Sequence, residues 1–375
     1  MIEPYFLAIC QAERIAVLKD GLSKSKIKEH AEKNLQRYCG LIDWVCAGGF
    51  AGKPGFTVTG QPRLVTPGEF ALTGVHWAYD GPKSLNNQQI IEYLGIRIPG
   101  PETDVLAEKA KQYGIYIAAA NYELDPEWPD FYFNTGFIIN PKGKIILKYR
   151  KTVTNVSVAF HCSVHDLMDK YKNPISGKYD PFPVVDTEIG RLAIFICVDL
   201  RAPEIPRVYS MKGAEVVLHL TSGMSHSDGR DVPMGSIEAA LQTRAWDNAV
   251  YMVNSNWGPE LGTYSPRARI SGWSSVHDYM GNELIKADHP NEHIITARID
   301  IEACRRYREQ YFRNPISLIR TELYAPYYNQ PVYPVNTFLR DGPIEELLDD
   351  QQLGYFNKAC ENVKNMQDFY SENDV

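Results

Sequence analysis

The sequence predicts an α/β fold with four layers, in which two β-sheets pack face to face and helices cover both outer surfaces. Short apolar strands alternate with amphipathic helices in both halves of the 375-residue chain. Apolar segments on either side of short turns add antiparallel hairpins to this pattern. Because such sheets need cover on both faces, the simplest arrangement is one αββα sandwich, and no Gly/Ser-rich or charged linker divides the series.

The first half of the chain begins with a buried strand followed by a helix. Residues 5–10 are almost all apolar, and apolar side chains recur at helical spacing over residues 27–45, behind Ser23 and Ser25. The elements that we expect next are a strand at 63–66, a helix at 103–113 ended by Gly114, a strand at 115–120, and a hairpin of 133–140 with 144–149.

The second half repeats the alternation of strand and helix. The expected elements are a hairpin of 183–186 with 192–196, a helix at 203–212 ended by Gly213, a strand at 216–220, a helix at 236–248, strands at 250–253, 269–276, 284–287 and 294–299, and a helix at 301–308. Residues 1–309 are therefore predicted to form a single domain.

The C-terminal tail, residues 310–375, differs in composition from this domain. It is rich in Tyr and Pro, as in LYAPYYNQPVYPVNTF, and then becomes polar and helical. A segment of this kind has too few apolar residues in a regular pattern to bury a core of its own. We therefore predict that the tail wraps a neighbouring subunit and that the protein is a homo-oligomer, at least a dimer.

Composition excludes several classes of protein. The 46 acidic and 39 basic side chains give a net charge of -7, and Lys and Arg form no run that could follow a phosphate backbone, which argues against nucleic acid as a partner. No apolar stretch approaches the roughly 18 to 20 residues that a bilayer requires, and the start lacks a basic leader, so we expect a cytoplasmic protein without a membrane anchor. The seven scattered cysteines, never spaced as CxxC, predict free thiols rather than disulfides or a metal site.

Three segments place an ionisable residue at the end of an apolar strand, where sheet proteins commonly build their sites. They contain Glu69 in RLVTPGEFALTG, Lys151 in KIILKYRKT and Cys197 in RLAIFICVDLRAPE. The strand before Cys197 leads directly into a turn towards a helix, which exposes the sulfur near unpaired backbone N–H groups. That position suits a nucleophile, because a helix start favours the thiolate and the amide of Val198 can hold an oxyanion.

The other two residues supply what a nucleophile needs for acyl transfer. Glu69 can take the thiol proton and pass it to the leaving group. Lys151 offers a fixed positive charge for the tetrahedral intermediate. Lys148 is the alternative to Lys151, but its place within the strand predicts that it faces solvent.

In their order, surrounding residues and separations, these three positions resemble the Glu-Lys-Cys triad of the nitrilase superfamily of carbon-nitrogen hydrolases. The segments FNTGFIINPKGKII, YSMKGAEVVLHLTS and ALQTRAWDNAVYMVNSN extend the resemblance over about residues 5–308. The resemblance implies the αββα sandwich, the absence of a cofactor or metal, and a thioester formed at Cys197 that water then hydrolyses.

Two departures from the family pattern concern the pocket. Family members usually carry Phe-Pro-Glu at the first position, whereas this chain has Pro67-Gly68-Glu69. Many members also carry a second Glu after the Lys that orients substrate, and here only His161, His165 and Asp166 are candidates for that place. The side chains that we expect to line the substrate pocket, although aromatic residues are more often part of a core, are Trp77, Tyr122, Phe131, His165 and Thr221.

The resemblance favours an amidase-type hydrolase that acts on a small amide or carbamoyl compound with water, releasing ammonia or an amine. The first alternative is a nitrilase, but nitrilases of the superfamily tend to carry Trp-Glu after the nucleophile, where this chain has Val198-Asp199 as in the amidase branches. The second alternative is a non-catalytic binding protein on the same fold, against which the complete triad argues.

Overall fold

Two mixed β-sheets form the centre of the molecule. The computed structural model describes residues 1–17, 23–47, 60–74, 85–154, 160–222, 235–262 and 272–372. Within these ranges, the strands of the first sheet are, in spatial order, β14 (His293–Ile299), β1 (Tyr5–Gln11), β3 (Pro62–Pro67), β4 (Tyr116–Glu123), β5 (Phe133–Ile139) and β6 (Ile145–Arg150).

The second sheet has a similar plan. Its strands are β13 (Glu283–Lys286), β12 (Ser275–His277), β10 (Tyr251–Ser255), β9 (Val216–Leu220), β8 (Gly190–Ile196) and β7 (Val185–Thr187). Each sheet has three parallel strands at its centre and antiparallel strands at its edges, and both predicted hairpins are present. Two short strands that the sequence did not indicate, β2 (Arg14–Ile15) and β11 (Glu260–Leu261), pair separately.

In the described part of the chain, some helices cover the outer faces of the two sheets and others lie elsewhere, mostly in the C-terminal tail. Their bounds are α1 (Lys24–Cys46), α2 (Asn87–Tyr93), α3 (Pro101–Tyr113), α4 (Glu204–Met211), α5 (Gly235–Trp246), α6 (Ile301–Glu309), α7 (Thr321–Tyr324), α8 (Thr337–Asp341) and α9 (Asp350–Glu372). Side chains of α1 and α3 share a core with the first sheet, and those of α4, α5 and α6 share one with the second. The predicted αββα sandwich is thereby confirmed. Every helix in the described part of the chain is too short or too polar to span a bilayer.

Strand β1 shows how the layers follow from the sequence. Leu7 and Ile9 point into the core between the sheets, whereas Ala8 and Cys10 point towards the helices. Because side chains alternate between the two faces of a strand, a strand covered on both sides must be apolar throughout. The continuous apolar run of residues 5–10 therefore reflects its position in the middle of the sandwich.

The sheets come very close together where β5 crosses β8. At Gly136 an added Cβ would lie 2.5 Å from Cγ2 of Ile194. Only a residue without a side chain fits this position, so the glycine in FNTGFII sets the spacing of the sheets beneath the site described below.

The C-terminal tail divides into two parts. Large apolar side chains are exposed over residues 311–332, including Tyr311, Phe312 and Leu323. Further along, Phe338, Ile344 and Tyr355 are buried in a cluster with residues of the sandwich, among them Tyr132 and Phe133. The second part therefore packs on its own domain. That the tail also contacts a neighbouring subunit stays a prediction.

Candidate active site

Glu69 lies just beyond β3, and hydrogen bonds fix its backbone on both sides. Its backbone N–H donates to the carbonyl of Thr221 at 3.1 Å, and its own carbonyl accepts from the indole of Trp257. Gly68 before it has no room for a side chain, because an added Cβ would contact Trp257 and lie 2.6 Å from the Thr221 carbonyl oxygen. The departure from Phe-Pro-Glu thus has a steric reason, and Gly68 lets the chain pass this close to β9.

Three side chains hold the buried carboxylate of Glu69. The amide Nδ2 of Asn134 donates to Oε1 at 2.5 Å, and the Lys151 ammonium lies 3.4 Å from the same oxygen. The hydroxyl of Ser222 donates to Oε2 at 2.6 Å. A carboxylate with donors on both oxygens is fixed in one orientation, which suits a group that must receive a proton from one direction.

Lys151 follows β6, and its backbone N–H continues the ladder by donating to the Asn134 carbonyl at 2.9 Å. Its side chain is buried. Burial by itself lowers the pKa of Lys151, but the interactions with nearby acidic groups, that with Glu69 foremost, outweigh it, so the net pKa is raised. The ammonium therefore keeps its charge near neutral pH and can attract a developing oxyanion.

Cys197 occupies a strained turn at the end of β8. Its φ of 52° lies in the left-handed region, and it opens a one-turn 3-10 helix, Cys197–Arg201. Sequence reasoning located the nearest helix start at about residue 203, six residues later. The backbone amide of Val198, the proposed oxyanion donor, belongs to this first turn. His219 stabilises this turn, because its Nε2 lies at hydrogen-bond distance, 2.9 Å, from the Cys197 carbonyl oxygen.

The thiol of Cys197 is influenced by both other members of the proposed triad. Burial raises its pKa, the Lys151 ammonium lowers it and the Glu69 carboxylate raises it, with a net rise above the ordinary value. The nearby hydroxyl of Thr221 acts in the lowering direction. This balance differs from the expectation that the helix start would favour the thiolate. The free protein therefore holds a neutral thiol, whose pKa is influenced by the nearby Glu69 carboxylate.

Asp199 joins the strand end that carries Lys151 to the turn that carries Cys197. Its buried carboxylate accepts from the hydroxyl of Tyr149 at 2.7 Å, from the backbone of Val153 at 2.9 Å and from the hydroxyl of Thr152 at 3.3 Å. It also accepts from the backbone N–H of Ile196 at 3.0 Å. One carboxylate thus fixes the relative position of two segments of the proposed triad.

The expectation that Lys148 faces solvent is wrong. Lys148 is buried, forms an ion pair with Glu123 and donates to the Ile98 carbonyl at 2.7 Å. Glu123 also pairs with Arg150, and Arg150 with Asp125. The helix side of the sheet is covered here, so these charges must be paired to be buried at all. Lys148 therefore has a structural partner and does not compete with Lys151 for the role at the site.

The expected pocket residues have different positions. Trp77 lies outside the described residues. Tyr122 is buried with its ring tilted against that of Phe70, the ring centroids being 4.3 Å apart, so it belongs to the core beside Glu69. Phe131 packs between Trp128 and Phe338. His165 lines a cavity next to the site, and Thr221 is close enough to Cys197 to lower the pKa of its thiol.

Sequence reasoning missed four supporting residues. They are Asn134, Asp199, His219 and Ser222. All four lie inside segments that the resemblance had quoted, namely FNTGFIINPKGKII, FICVDLRAPE and YSMKGAEVVLHLTS. Polar residues within or directly after fully apolar strands were the available signal, because a buried polar side chain in such a place requires a partner.

The chain was compared with known proteins. A family model named carbon-nitrogen hydrolase matches residues 7–309. A formamidase of Bacillus thuringiensis (strain Al Hakam) is 30% identical over 250 residues, which are 66% of this chain and 63% of the formamidase. The match therefore spans less than two thirds of that relative's length.

Two solved structures have a similar fold. A carbon-nitrogen hydrolase from Helicobacter pylori G27 superposes with a TM-score of 0.64 at 17% identity, covering 87% of this chain and 99% of that one. A mutant of the Nesterenkonia AN1 amidase from the nitrilase superfamily superposes with a TM-score of 0.54 at 17% identity, covering 86% and 97%.

Proposed function

The chain belongs to the carbon-nitrogen hydrolase family of the nitrilase superfamily, and we propose that it is an amidase-type hydrolase of a small amide or carbamoyl compound. One observation carries the proposal: the Lys151 ammonium lies 3.4 Å from the Glu69 carboxylate, and the charges of both act on the Cys197 thiol. A base, a cation and a nucleophile in one buried cluster are the groups that cysteine-based amide hydrolysis needs.

The arrangement divides the reaction into two steps. Sγ of Cys197 forms a bond to the carbonyl carbon while Glu69 accepts the thiol proton, and Lys151 with the amide of Val198 stabilises the oxyanion. The carbon-nitrogen bond then breaks, Glu69 gives the proton to the leaving nitrogen, and ammonia or an amine departs from the thioester. In the second step Glu69 takes a proton from water while the water oxygen bonds to the carbonyl carbon of the thioester. The carbon–sulfur bond then breaks, Glu69 returns the proton to Sγ of Cys197, and the acid is released.

The relatives support an amide rather than a nitrile as substrate. The matched relative is a formamidase, and one protein of similar fold is an amidase. Asp199, where nitrilases of the superfamily tend to have Glu, is buried and bound to Tyr149 and Val153. A nitrilase is therefore the second candidate.

The test is to incubate the purified protein with formamide, acetamide and acetonitrile, measure ammonia, and look by intact mass for an acyl adduct. We expect ammonia from the amides and an adduct on the peptide that contains Cys197. Ammonia from acetonitrile alone would indicate a nitrilase. No turnover together with no adduct would favour a non-catalytic protein.

A further inference from the structure

A cavity of about 260 Å³ lies next to the proposed triad. None of Glu69, Lys151 and Cys197 is among the described residues that line it, so the cavity adjoins the catalytic cluster without being part of it. The lining residues that matter here are Thr152, Val153, His161, Tyr333, Phe338 and Ile344. For comparison, an apolar cavity of about 150 Å³ is large enough to hold benzene.

The inner wall of the cavity is continuous with the catalytic cluster. Thr152 and Val153 directly follow Lys151, and both donate to the carboxylate of Asp199, two residues after Cys197. The position of this wall is therefore fixed relative to the nucleophile. On the next segment, His161 is close enough to Lys151 for the ammonium to lower the pKa of its imidazole.

His161 is a buried polar side chain that lacks a partner. It is 1% exposed, and neither ring nitrogen has a hydrogen-bond partner among the described residues. Burial lowers the pKa of His161 well below its usual value, so the ring is neutral and presents one donor and one acceptor. A buried polar group without a partner destabilises the folded protein, and a bound hydrogen-bonding group would remove that cost.

The one carboxylate among the described residues that line the cavity is already engaged. The carboxylate of Asp166 accepts from the backbone N–H of Ser163 at 2.8 Å, from its hydroxyl at 2.7 Å, and from the hydroxyl of Thr337. The carbonyl of His165 accepts from the backbone N–H of Asn336 at 3.0 Å. These bonds fasten the C-terminal tail across the cavity, where Phe338 and Ile344 supply an apolar outer wall.

We propose that this cavity receives the substituent of an extended amide substrate, and that His161 binds an uncharged hydrogen-bonding group on that substituent. The proposal rests on the proposed amidase function and defines its substrate class. No Lys or Arg is among the described residues that line the cavity, and its one carboxylate, that of Asp166, is already hydrogen-bonded. The wall therefore offers no cation to an anionic group. A substituent of ring size with a hydroxyl or amide matches both the volume and the polarity.

The kinetic experiment compares formamide with 4-hydroxybenzamide as substrates of the wild type and of His161→Leu. The variant should lower kcat/KM for 4-hydroxybenzamide at least tenfold, mainly through KM, and change that for formamide less than twofold. His277→Leu is the matched control, because His277 is also buried with both ring nitrogens unpaired among the described residues but does not line the cavity. It should leave both substrates unaffected. An equal loss for both substrates in His161→Leu would overturn the proposal.

A second variant and a binding measurement test the proposal independently of the kinetics of His161→Leu. Ile344→Trp should fill the cavity and lower kcat/KM for 4-hydroxybenzamide at least tenfold while sparing formamide. In calorimetry, 4-hydroxybenzamide should bind Cys197→Ala and lose at least tenfold in affinity when His161→Leu is added. If Cys197→Ala does not bind 4-hydroxybenzamide while the wild type hydrolyses formamide, the inference fails and the amidase function stands. If no amide is hydrolysed but 4-hydroxybenzamide binds Cys197→Ala and loses affinity when His161→Leu is added, the inference about the cavity stands and the amidase function fails.

Discussion

The hydroxyl of Tyr149 donates a 2.7 Å hydrogen bond to Asp199, and so connects the penultimate residue of β6 with the turn that begins at Cys197. Both groups are buried. This bond holds two sheets together at the point where each presents a residue of the proposed triad. Removal of one partner would leave a buried carboxylate oxygen with one donor fewer.

Tyr149→Phe is therefore expected to destabilise the protein by about 1 to 3 kcal/mol and to lower kcat more than it raises KM. Urea unfolding and amidase kinetics measure the two effects. Tyr5→Phe is the matched control, because the Tyr5 hydroxyl is buried without a hydrogen-bond partner among the described residues. If both variants lose the same stability, the bond to Asp199 has no special part in holding the site.

Cys197→Ala should abolish turnover and covalent labelling while the protein stays folded, because it removes the nucleophile and little volume. Cys360 is exposed on the tail, so its alkylation should not affect activity. Cys360→Ala is the control and should keep full turnover. The readouts are ammonia release and the mass of the labelled peptides. Residual turnover in Cys197→Ala, or an acyl adduct on Cys162, would assign the chemistry elsewhere.

Glu69→Gln should lower kcat by orders of magnitude, because the amide keeps the shape of the carboxylate but cannot accept the thiol proton. Ser222→Ala offers a graded comparison, since it removes one donor to Glu69 and leaves the base in place. We expect a much smaller loss from it. Similar kinetics of Glu69→Gln and the wild type would exclude Glu69 as the base.

Lys151→Met should slow alkylation of Cys197 by iodoacetamide at neutral pH, because the Lys151 ammonium lowers the pKa of that thiol and the variant lacks it. In the wild type the net pKa of Cys197 is raised, so the rate should rise with pH through the alkaline range rather than level off near pH 7. Lys111→Met, which removes an exposed ammonium far from the site, is the control for charge alone. A faster reaction in Lys151→Met would contradict the assignment.

His277 predicts a pH dependence of stability. Burial lowers its pKa to about 4, whereas an unfolded histidine titrates near 6.5. Between these values the unfolded chain binds the additional proton, so this residue makes the protein less stable as the pH falls from about 6.5 to 4. In His277→Leu, urea midpoints measured at pH 7 and pH 5 should differ less than in the wild type. An unchanged difference would mean that His277 is not buried as a neutral ring.

The exposed apolar side chains of residues 311–332 predict self-association. We expect at least a dimer at micromolar concentration, measured by light scattering, and a shift towards monomer when Tyr311, Phe312 and Leu323 are all changed to Ser. Met211→Ser, an exposed apolar position outside the tail, serves as the control. A monomeric wild type would show that the tail has no such partner.

Local patterns were sufficient to predict the layers, and together with the family resemblance they predicted the candidate triad. A strand buried on both faces must be apolar, and the ionisable residue that follows it then stands out, as at Cys197. Long-range pairing was not predictable in this way. Nothing near Lys148 in the sequence points to Glu123, and nothing near Asp166 points to Thr337, 171 residues away. The burial of Lys148 and the packing of the tail on the domain depend on these long-range contacts, which only the folded chain contains.

The hydrogen bond from Thr337 to Asp166 joins the C-terminal tail to the domain that contains the proposed triad. Each residue of the proposed triad precedes residue 200, whereas the outer wall of the adjacent cavity comes from Phe338 and Ile344. During synthesis the reactive cluster can therefore assemble before that wall has left the ribosome. Substitutions at Phe338 or Ile344 likewise change the wall of the cavity without replacing any residue of the proposed triad.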